Sequence, residues 1–588
     1  MSAILSAESL NDFIGPSVAC IKPVEPLPST TTTTTELAVT HEDAAPPPGS
    51  RSAAQISLTD CLACSGCVTS SEAVLVQLQS HTEVLAALAL PDARAKTFVA
   101  LLSPQSRAAL AIALRVPEHA VHAIVTRLLT SRGPSSHGGD KAFDMVLDTN
   151  PFRRIMHYYA AAEVLEVVNG VSDGATERKR PILTSSCPGF ICYLESTHPA
   201  LIPHLSTLKS PQAIAATFVK ALLVASGRAR EPADVYTVAI MPCFDKKLEA
   251  ARSELTSAAW RPAHAVRAEP PVRDVDCVIT TRELLSLAEA RGIDLATLPP
   301  SLPLGPPPTL SSDPLIQRFL ATQLSNSAAA TAAAADAGAG ADADAGTSGG
   351  NLVAVLRALL ARHPDAMLQV QQGRNADTRD YLVVSPSTGQ TIARLSRCYG
   401  FRNIQNLVRR LKPAKPRVLP SFGGGGGGGG GSRKPATTAV TAAASRRIAA
   451  KRASAVEDRT AAAAAYVEVM ACPGGCTNGG GQLKFDDEAL WAAVTAEHRP
   501  GSQRELLALV DEAYFSGSEG DGRQPREAED EDGTADSVAE VVAAFVRLTG
   551  VSEDALLRTG YRQVANDLGH RLDDSQVLEM VSRNGGGW

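Results

Sequence analysis

Closely spaced cysteines are the feature of this sequence most capable of chemistry. The 588 residues include 11 cysteines, which is too few for a disulfide scaffold. Three of them, Cys61, Cys64 and Cys67, form a C-x2-C-x2-C run, and Gly66 lets the backbone turn tightly around it. Three soft sulfur donors at this spacing can point at one metal centre, so the run indicates a site whose fourth ligand comes from elsewhere.

The fourth ligand of this site is expected to be Cys20. It is the only other cysteine that precedes Cys187, and the polar segment 26–52 between it and the run can loop out at small entropic cost. Structural zinc usually shows two paired cysteine knuckles, whereas three close cysteines and a remote one favour a [4Fe-4S] cluster. Three buried free thiols are the remaining alternative.

A second group of cysteines follows three predicted strands. Cys187 comes after RPILTSS, Cys243 after VYTVAIMP, and the pair Cys472 and Cys476 after YVEVMA. Because ligand sites in α/β folds gather at the carboxyl ends of strands, these four thiols are candidates for one common site. Packing of cysteines in the core is the alternative interpretation.

Other residues near these cysteines favour anionic sulfur. Cys243 stands at the start of a predicted helix beside Lys246 and Lys247, and Lys209 is a further candidate cation. The glycine-rich range 474–481 allows backbone N–H groups to approach cluster sulfurs.

Positioning these cysteines requires an α/β architecture. Short apolar runs predict buried strands at 144–148, 181–184, 235–241, 275–280, 381–385 and 466–470. Helical patterns follow several of them, at 245–253, 281–290 and 401–411. This alternation is typical of parallel sheets with helices on their faces.

Composition excludes several classes of function. The net charge of −6 and the pI of about 6.1 create no overall basic field for nucleic acid. No apolar run reaches the roughly 18 residues of a membrane span, and acidic Glu8 and Asp12 stand where a secretory signal would be basic and then apolar. Four segments of low complexity divide the chain, at 26–52, 327–350, 421–459 and 516–537.

Three segments resemble the signature loops of iron-only hydrogenases, namely TSSCPGF, MPCFDKKLEA and EVMACPGGCTNGGGQ. The N-terminal stretches MSAILSAESLNDFIGPSVACIKP and ISLTDCLACSGCVTSSEAVLV look like the eukaryotic branch of that superfamily. That branch contains the hydrogenase-like cytosolic iron–sulfur protein assembly factors, also called nuclear architecture related proteins. The resemblance implies an iron-only hydrogenase-like α/β fold, with two lobes of parallel sheets around a buried cluster and a small N-terminal cluster region.

The resemblance also implies a function and a set of ligands. Such proteins bind two [4Fe-4S] clusters and help pass clusters from a cytosolic scaffold to a targeting complex that matures apo-proteins. By this resemblance the first cluster would be held by Cys20, Cys61, Cys64 and Cys67. The second, between the lobes, would be held by Cys187, Cys243, Cys472 and Cys476.

The sequence departs from the hydrogenase pattern in ways that make hydrogen turnover unexpected. Ser186 stands where hydrogenases have a proton-delivering cysteine, Phe190 where a Trp is frequent, and Gln482 where a Pro is frequent. A serine hydroxyl has a pKa far above that of a thiol and is a poor proton relay at neutral pH. We therefore expect a carrier or adaptor rather than an enzyme; the alternatives are a diiron hydrogenase and a zinc-stabilised interaction protein.

Domain boundaries and partners follow from the resemblance and the low-complexity segments. The tail ends in Trp588, which resembles a signal read by the targeting complex, and a frayed terminus is the alternative interpretation. The expected location is the cytoplasm, with the nucleus as an addition. The predicted units are an N-terminal region at 1–80, a first lobe at 81–326, a linker at 327–350, a second lobe at 351–515, an acidic linker at 516–537 and a helical C-terminal region at 538–588.

Overall fold

The computed structural model describes nine stretches of the chain. They are residues 79–131, 141–168, 180–261, 270–299, 310–321, 347–412, 464–491, 499–516 and 533–562. The predicted ligands of the first cluster, Cys20, Cys61, Cys64 and Cys67, lie outside these residues, as does Trp588. Their roles therefore remain predictions.

Nine strands form two sheets in the described part of the chain. They are β1 (Thr97–Leu102), β2 (Met145–Asp148), β3 (Ile182–Thr184), β4 (Val235–Met241), β5 (Cys277–Thr280), β6 (Met367–Gln372), β7 (Thr378–Val384), β8 (Thr391–Tyr399) and β9 (Tyr466–Met470). The first sheet has the order β2-β1-β4-β5 and is parallel throughout. The second has the order β3-β9-β8-β7-β6, in which β7 runs antiparallel to both of its neighbours, β8 and β6.

The predicted α/β class is confirmed, with one correction. All six predicted strands are present, but the expectation of parallel sheets is wrong for the outer half of the second sheet. The cause is the pair of short connections 373–377 and 385–390, which are turns and leave no room for a helical crossover. The strands β1, β6 and β8 were not predicted; β6 is mostly exposed and lacks an apolar run.

Helices cover both sheets. They are α1 (His81–Ala89), α2 (Pro104–Leu114), α3 (Glu118–Thr130), α4 (Asn150–Val168), α5 (Pro188–Thr197), α6 (Pro211–Ala225), α7 (Asp245–Ala250), α8 (Thr281–Ala290), α9 (Pro314–Ala321), α10 (Asn351–Arg362), α11 (Phe401–Leu411), α12 (Glu488–Trp491), α13 (Gln503–Ser516), α14 (Gly533–Thr549) and α15 (Glu553–Leu557). Several begin shortly after a strand, and polar residues cap some of them; Thr280, for example, forms a capping box with Glu283.

The largest hydrophobic core joins the two sheets. It contains Leu101 from the first sheet and Leu395 from the second, together with aromatic side chains of the intervening helices. Phe218 of α6 stacks on Phe545 of α14 with ring centroids 4.5 Å apart. The C-terminal helix α14 is thus part of the core, and it begins at Gly533, inside the range predicted as an acidic linker.

The sheets do not follow the predicted lobe boundaries. Strand β3 lies within the range 81–326 but pairs with β9, so it belongs to the second sheet. The predicted boundaries of the two lobes therefore stay a prediction.

Among the described residues, no single helix is long and apolar enough to cross a membrane. Helices α2 and α3 reach that length and composition only together, and they are bent by 97° at their junction.

A buried histidine accompanies an ion-paired arginine beside the first sheet. Arg107 is fully buried and pairs with Glu118 and with Asp148. His122 on α3 is 3% exposed, and burial together with the charge of Arg107 lowers its pKa to about 3. His119, one turn earlier on the same helix, is exposed.

We expect His122 to make the protein less stable in mild acid. Its folded pKa lies below the unfolded value of about 6.5, so the unfolded state binds a proton that the folded state excludes, and the free energy of unfolding falls by about 1.4 kcal/mol per pH unit below that value. The free energy of unfolding, measured with urea at about pH 7 and at about pH 5, should decrease between these two pH values in the wild type. In His122→Gln this decrease should be smaller by about 2 kcal/mol. The same substitution at exposed His119 should keep the wild-type loss; a full loss in His122→Gln would contradict the assignment.

Candidate metal centre

The Cys187 loop is fastened to the strand that leads to the other cysteines. Three residues separate the end of β3 from the start of α5, and Cys187 is the last of them. Its N–H donates to Ser185 Oγ at 3.1 Å, and that hydroxyl donates to the carbonyl of Val469 in β9 at 2.6 Å. Because β3 and β9 are parallel neighbours, their carboxyl ends place Cys187 beside the loop that begins with Cys472.

The Cys243 loop comes from the first sheet and meets the same region. Cys243 lies two residues after β4, and its Sγ accepts the N–H of Asp245 at 3.3 Å where α7 begins. The carbonyl of Pro242 accepts the N–H of Gly481 at 3.0 Å. A Cβ at Gly479 would lie 2.2 Å from that same carbonyl oxygen, so the loop can approach only with glycine there.

The loop after β9 carries the last two cysteines. The N–H of Cys476 donates to Ser348 Oγ at 2.8 Å, and its Sγ lies 3.6 Å from Met470 Sδ. Gly475 has a φ of +78°, and a Cβ there would lie 2.1 Å from Ser348 Oγ. Gly474 also has a positive φ of +73°. Both glycines of C-P-G-G-C are therefore needed to fold this loop against Ser348.

Burial and mutual electrostatics relate the four thiols to one another. Burial raises the pKa of Cys187 to about 12 and raises the pKa of Cys243, Cys472 and Cys476 as well. The charges of Cys472 and Cys187 raise the pKa of Cys243 further, and those of Cys187 and Cys476 raise that of Cys472. The four sulfurs, from three separate strand ends, thus lie within electrostatic range in one buried region.

This donor set suits a cluster better than a single ion. Among the residues that the structure describes, no three His, Cys, Asp or Glu side chains lie close enough to ligate one metal ion, whereas a structural zinc needs four ligands at about 2.0–2.3 Å. In a [4Fe-4S] cube each thiolate binds its own iron, so the sulfurs stand further apart. The four thiols, of which Cys187 and Cys472 belong to buried residues and Cys243 and Cys476 to partly exposed ones, would suit such a cube; their roles as ligands remain a prediction.

The predicted cations divide into different roles. The charge of Lys246 lowers the pKa of Cys476 against the effect of burial, while its Nζ pairs with Glu249 at 2.5 Å. Lys247 is fully buried and instead pairs with Glu283 at 2.7 Å. Lys209 donates to the carbonyl of Ala555 at 2.7 Å and lines a cavity of about 40 Å³ that Ser186 and Cys187 also line.

Sequence reasoning missed a segment that supports the loop of Cys472 and Cys476. The range 327–350 was predicted to be a linker, but Thr347 and Ser348 are buried, and Ser348 holds Cys476. Gly349 and Gly350 adopt φ of +65° and +91° directly before α10. The sequence contains one signal that could have revealed this segment, a pair of glycines immediately before a helical pattern. The alanine-rich residues before it obscured that signal.

A buried carboxylate organises the same segment. Glu468 of β9 is 2% exposed and accepts the N–H of Asn351 at 3.0 Å and the hydroxyl of Tyr399 at 3.1 Å. Burial raises the pKa of Glu468. A Cβ at Gly349 would lie 2.7 Å from its Oε1, so carboxylate and glycine pack directly against each other.

The three other described cysteines do not belong to the predicted quartet of ligands. Cys277 is fully buried within β5, and Cys398 is buried at the end of β8. Cys192 is partly exposed on α5 and lines the cavity beside Cys187. Burial raises the pKa of Cys277 and Cys398 to about 12, as expected for thiols that pack in a core.

Comparison with known proteins identifies the class to which this fold and site belong. Residues 96–480 match the family described as iron only hydrogenase large subunit, C-terminal domain. Among solved structures, a variant of apo [FeFe]-hydrogenase HydA1 from Chlamydomonas reinhardtii aligns with a TM-score of 0.50 and 21% identity, over 82% of this chain and 99% of that chain. The fold is that of the iron-only hydrogenases.

Full-length relatives narrow the class. A cytosolic Fe-S cluster assembly factor, nar1, from Emericella nidulans is 44% identical over 634 aligned residues, and its counterpart from Phaeosphaeria nodorum is 42% identical over 673; both alignments cover the whole of each chain. This chain belongs to the family of cytosolic Fe-S cluster assembly factors, which confirms the resemblance seen in its sequence.

We expect Gly475 to be required by the loop of Cys472 and Cys476 for two separable reasons. Gly475→Ala should lose about 1–2 kcal/mol of unfolding free energy from its left-handed backbone and about 1–3 kcal/mol more from overlap with Ser348. Gly227→Ala is the matched control, because Gly227 has a similar φ of +71° but nothing within 4 Å of its Cβ position. Urea denaturation of both variants measures the difference, and equal losses would show that the contact with Ser348 is unimportant.

Proposed function

We propose that this chain is a component of cytosolic iron–sulfur protein assembly that binds two [4Fe-4S] clusters and mediates cluster delivery from a scaffold to a targeting complex. Family membership supports the general role. The observation that carries the proposal is the convergence of three strand-end loops on one group of thiols, in which Cys187 and Cys472 are buried. Cys187, Cys243, Cys472 and Cys476 would hold the second cluster.

The residues of this chain would retain the second cluster rather than release it. A bound cluster would supply an electron-transfer group or an intact cargo. Burial of Cys187 and Cys472 excludes water, and the backbone contacts of the glycine-rich loop hold both sheets around the thiols. The ligands proposed for the first cluster, Cys20, Cys61, Cys64 and Cys67, lie outside the described residues.

Ser186 argues against hydrogen turnover. Its hydroxyl lies 3.6 Å from Met156 Sδ, a weak acceptor, at the position where hydrogenases have a proton-delivering cysteine. A serine there cannot relay protons effectively at neutral pH. The protein is thus proposed to act as a carrier or adaptor; hydrogen evolution by anaerobically purified, matured protein would support the enzymatic alternative instead.

Partners and location are proposed from the same family relationship. The partners would be a cytosolic iron–sulfur scaffold and the proteins of the targeting complex, with Trp588 as a docking residue outside the described part of the chain. The word cytosolic in the names of the relatives supports a cytosolic location, and nothing supports the additional nuclear one.

Iron and acid-labile sulfide counts test the proposal. The anaerobically purified chain should contain about eight irons with matching sulfide, and Cys61→Ala and Cys472→Ala should each keep about four, because each variant disrupts one cube. Cys277→Ala is the control, since Cys277 is buried in a strand and should leave about eight irons. Wild-type iron content in both ligand variants, or zinc without sulfide in the wild type, would contradict the assignment.

A further inference from the structure

A short segment near the end of the described chain, residues 558–562, lies beside the Cys187 loop. It follows helix α15, and we call it the C-terminal strap. Thr559 and Tyr561 of the strap line the cavity of about 40 Å³ that Ser186 and Cys187 also line. Tyr561 packs against the hydrophobic cluster that contains Cys187. The strap therefore forms part of the wall around a predicted cluster ligand.

Backbone hydrogen bonds hold the inner end of the strap in a short antiparallel pairing. The N–H of Lys209 donates to the carbonyl of Leu557 at 2.7 Å, and the N–H of Thr559 donates to the carbonyl of Thr207 at 2.8 Å. The ammonium group of Lys209, a residue that is 1% exposed, donates to the carbonyl of Ala555 at 2.7 Å. Because breaking such bonds would leave buried polar groups without partners, this end is firmly held.

Charged groups at the surface hold the outer end of the strap. The N–H of Arg562 donates to Glu195 Oε1 at 2.7 Å, and its Nη2 lies 2.8 Å from Glu254 Oε2. The side chain of Arg562 is 51% exposed. Exposed ion pairs contribute little to stability and are screened by salt. The outer end is therefore released at a lower cost than the inner end.

The partners of the outer end relate the strap to two of the predicted ligand loops. Glu195 lies on α5, which begins directly after Cys187, and Glu254 lies shortly after α7, the helix that follows Cys243. Arg252 joins these two regions by a bidentate pair with Glu195, at 2.7 and 2.9 Å. The strap thus ends on an ion cluster that connects the helices behind both loops.

A glycine separates the two ends of the strap. Gly560 is exposed, and a Cβ at its position would have nothing within 4 Å. Its φ lies outside the left-handed region, so neither packing nor backbone strain in the closed structure requires glycine there. Glycine does widen the range of conformations open to a released chain. Gly560 therefore suits a hinge about which the outer end can swing.

We propose that the C-terminal strap is a gate over the Cys187 side of the candidate metal centre. The gate opens when its outer end leaves the ion cluster while its inner end stays paired, which is a local opening of the structure. Opening withdraws Tyr561 from the wall of the cavity and admits small iron ligands, such as thiols, beside Cys187. The identity of the guarded group rests on the proposed function, whereas the movement of the strap does not.

Hydrogen–deuterium exchange of the full-length, anaerobically purified chain tests the movement. Arg562→Gln should lower the protection factor of the amide at position 562 about twofold to fivefold, the range that loss of one exposed ion pair supports. Gly560→Ala should raise it by a similar factor, because alanine restricts the open chain. Arg547→Gln is the control, since Arg547 is exposed on α14 outside the strap and should leave this protection unchanged.

Iron release tests the role of the strap as a gate. In a Cys61→Ala background, which should hold the second cluster alone, iron loss to excess bathophenanthroline with dithionite as reductant is followed by absorbance. Arg562→Gln should accelerate this loss about twofold to fivefold and Gly560→Ala should slow it by a similar factor, because the rate follows the open population. Arg547→Gln should match the parent background.

The outcomes separate the two proposals. Unchanged protection in both strap variants would overturn the movement, and altered protection with equal rates of iron loss would overturn the gate. Absence of iron from the Cys61→Ala background would instead contradict the proposed function. In that case the rate of Cys187 alkylation by N-ethylmaleimide, read by peptide mass spectrometry, decides the gate: the same order of variants supports it, and equal rates overturn it.

Discussion

The contact between the Cys243 loop and the glycine-rich loop after β9 is the constraint on which the candidate site depends. The carbonyl of Pro242 accepts the N–H of Gly481 and packs against Gly479, so a loop of the first sheet meets a loop of the second without an intervening side chain. On the other side, the hydroxyl of Ser185 ties the Cys187 loop to β9. These backbone-level contacts bring thiols from both sheets into one buried region.

Burial alone would make such a group of thiols unfavourable as anions, since each raised pKa favours the protonated form. Metal binding at these thiols would displace those protons and would supply positive charge, which would couple ligation to folding of the loops. Hydrogen bonds also fix the backbone that carries one of these cysteines. Ser348 fixes the backbone of Cys476, and Glu468 fixes the segment that carries Ser348.

The sequence was most informative where short apolar runs end in cysteine or glycine. Strands at 182–184, 235–241 and 466–470 and the cysteines after them were predictable, because local hydrophobicity and spacing determine them. The antiparallel strand β6 was not, because its residues are largely exposed and leave no apolar pattern. The role of Ser348 was also hidden, since it arises from a contact with Cys476, 128 residues away, and its neighbours are of low complexity.

The fold of the iron-only hydrogenases does not by itself determine the chemistry of this chain, because chemistry depends on the residues of the site. The strand ends that would hold a cluster are kept, while the residue before Cys187 is a serine that faces a thioether. The turn between β6 and β7 of the second sheet supports the same site, because Asp377 Oδ1 accepts the N–H of Gly474 in the loop of Cys472 and Cys476.

Anomalous diffraction at the iron absorption edge tests the central claim most directly. Crystals grown anaerobically from the full-length chain, with their iron content verified, should show an iron signal enclosed by the sulfurs of Cys187, Cys243, Cys472 and Cys476. An iron signal that leaves this group of thiols empty, or a zinc signal bound by only some of them, would contradict the account.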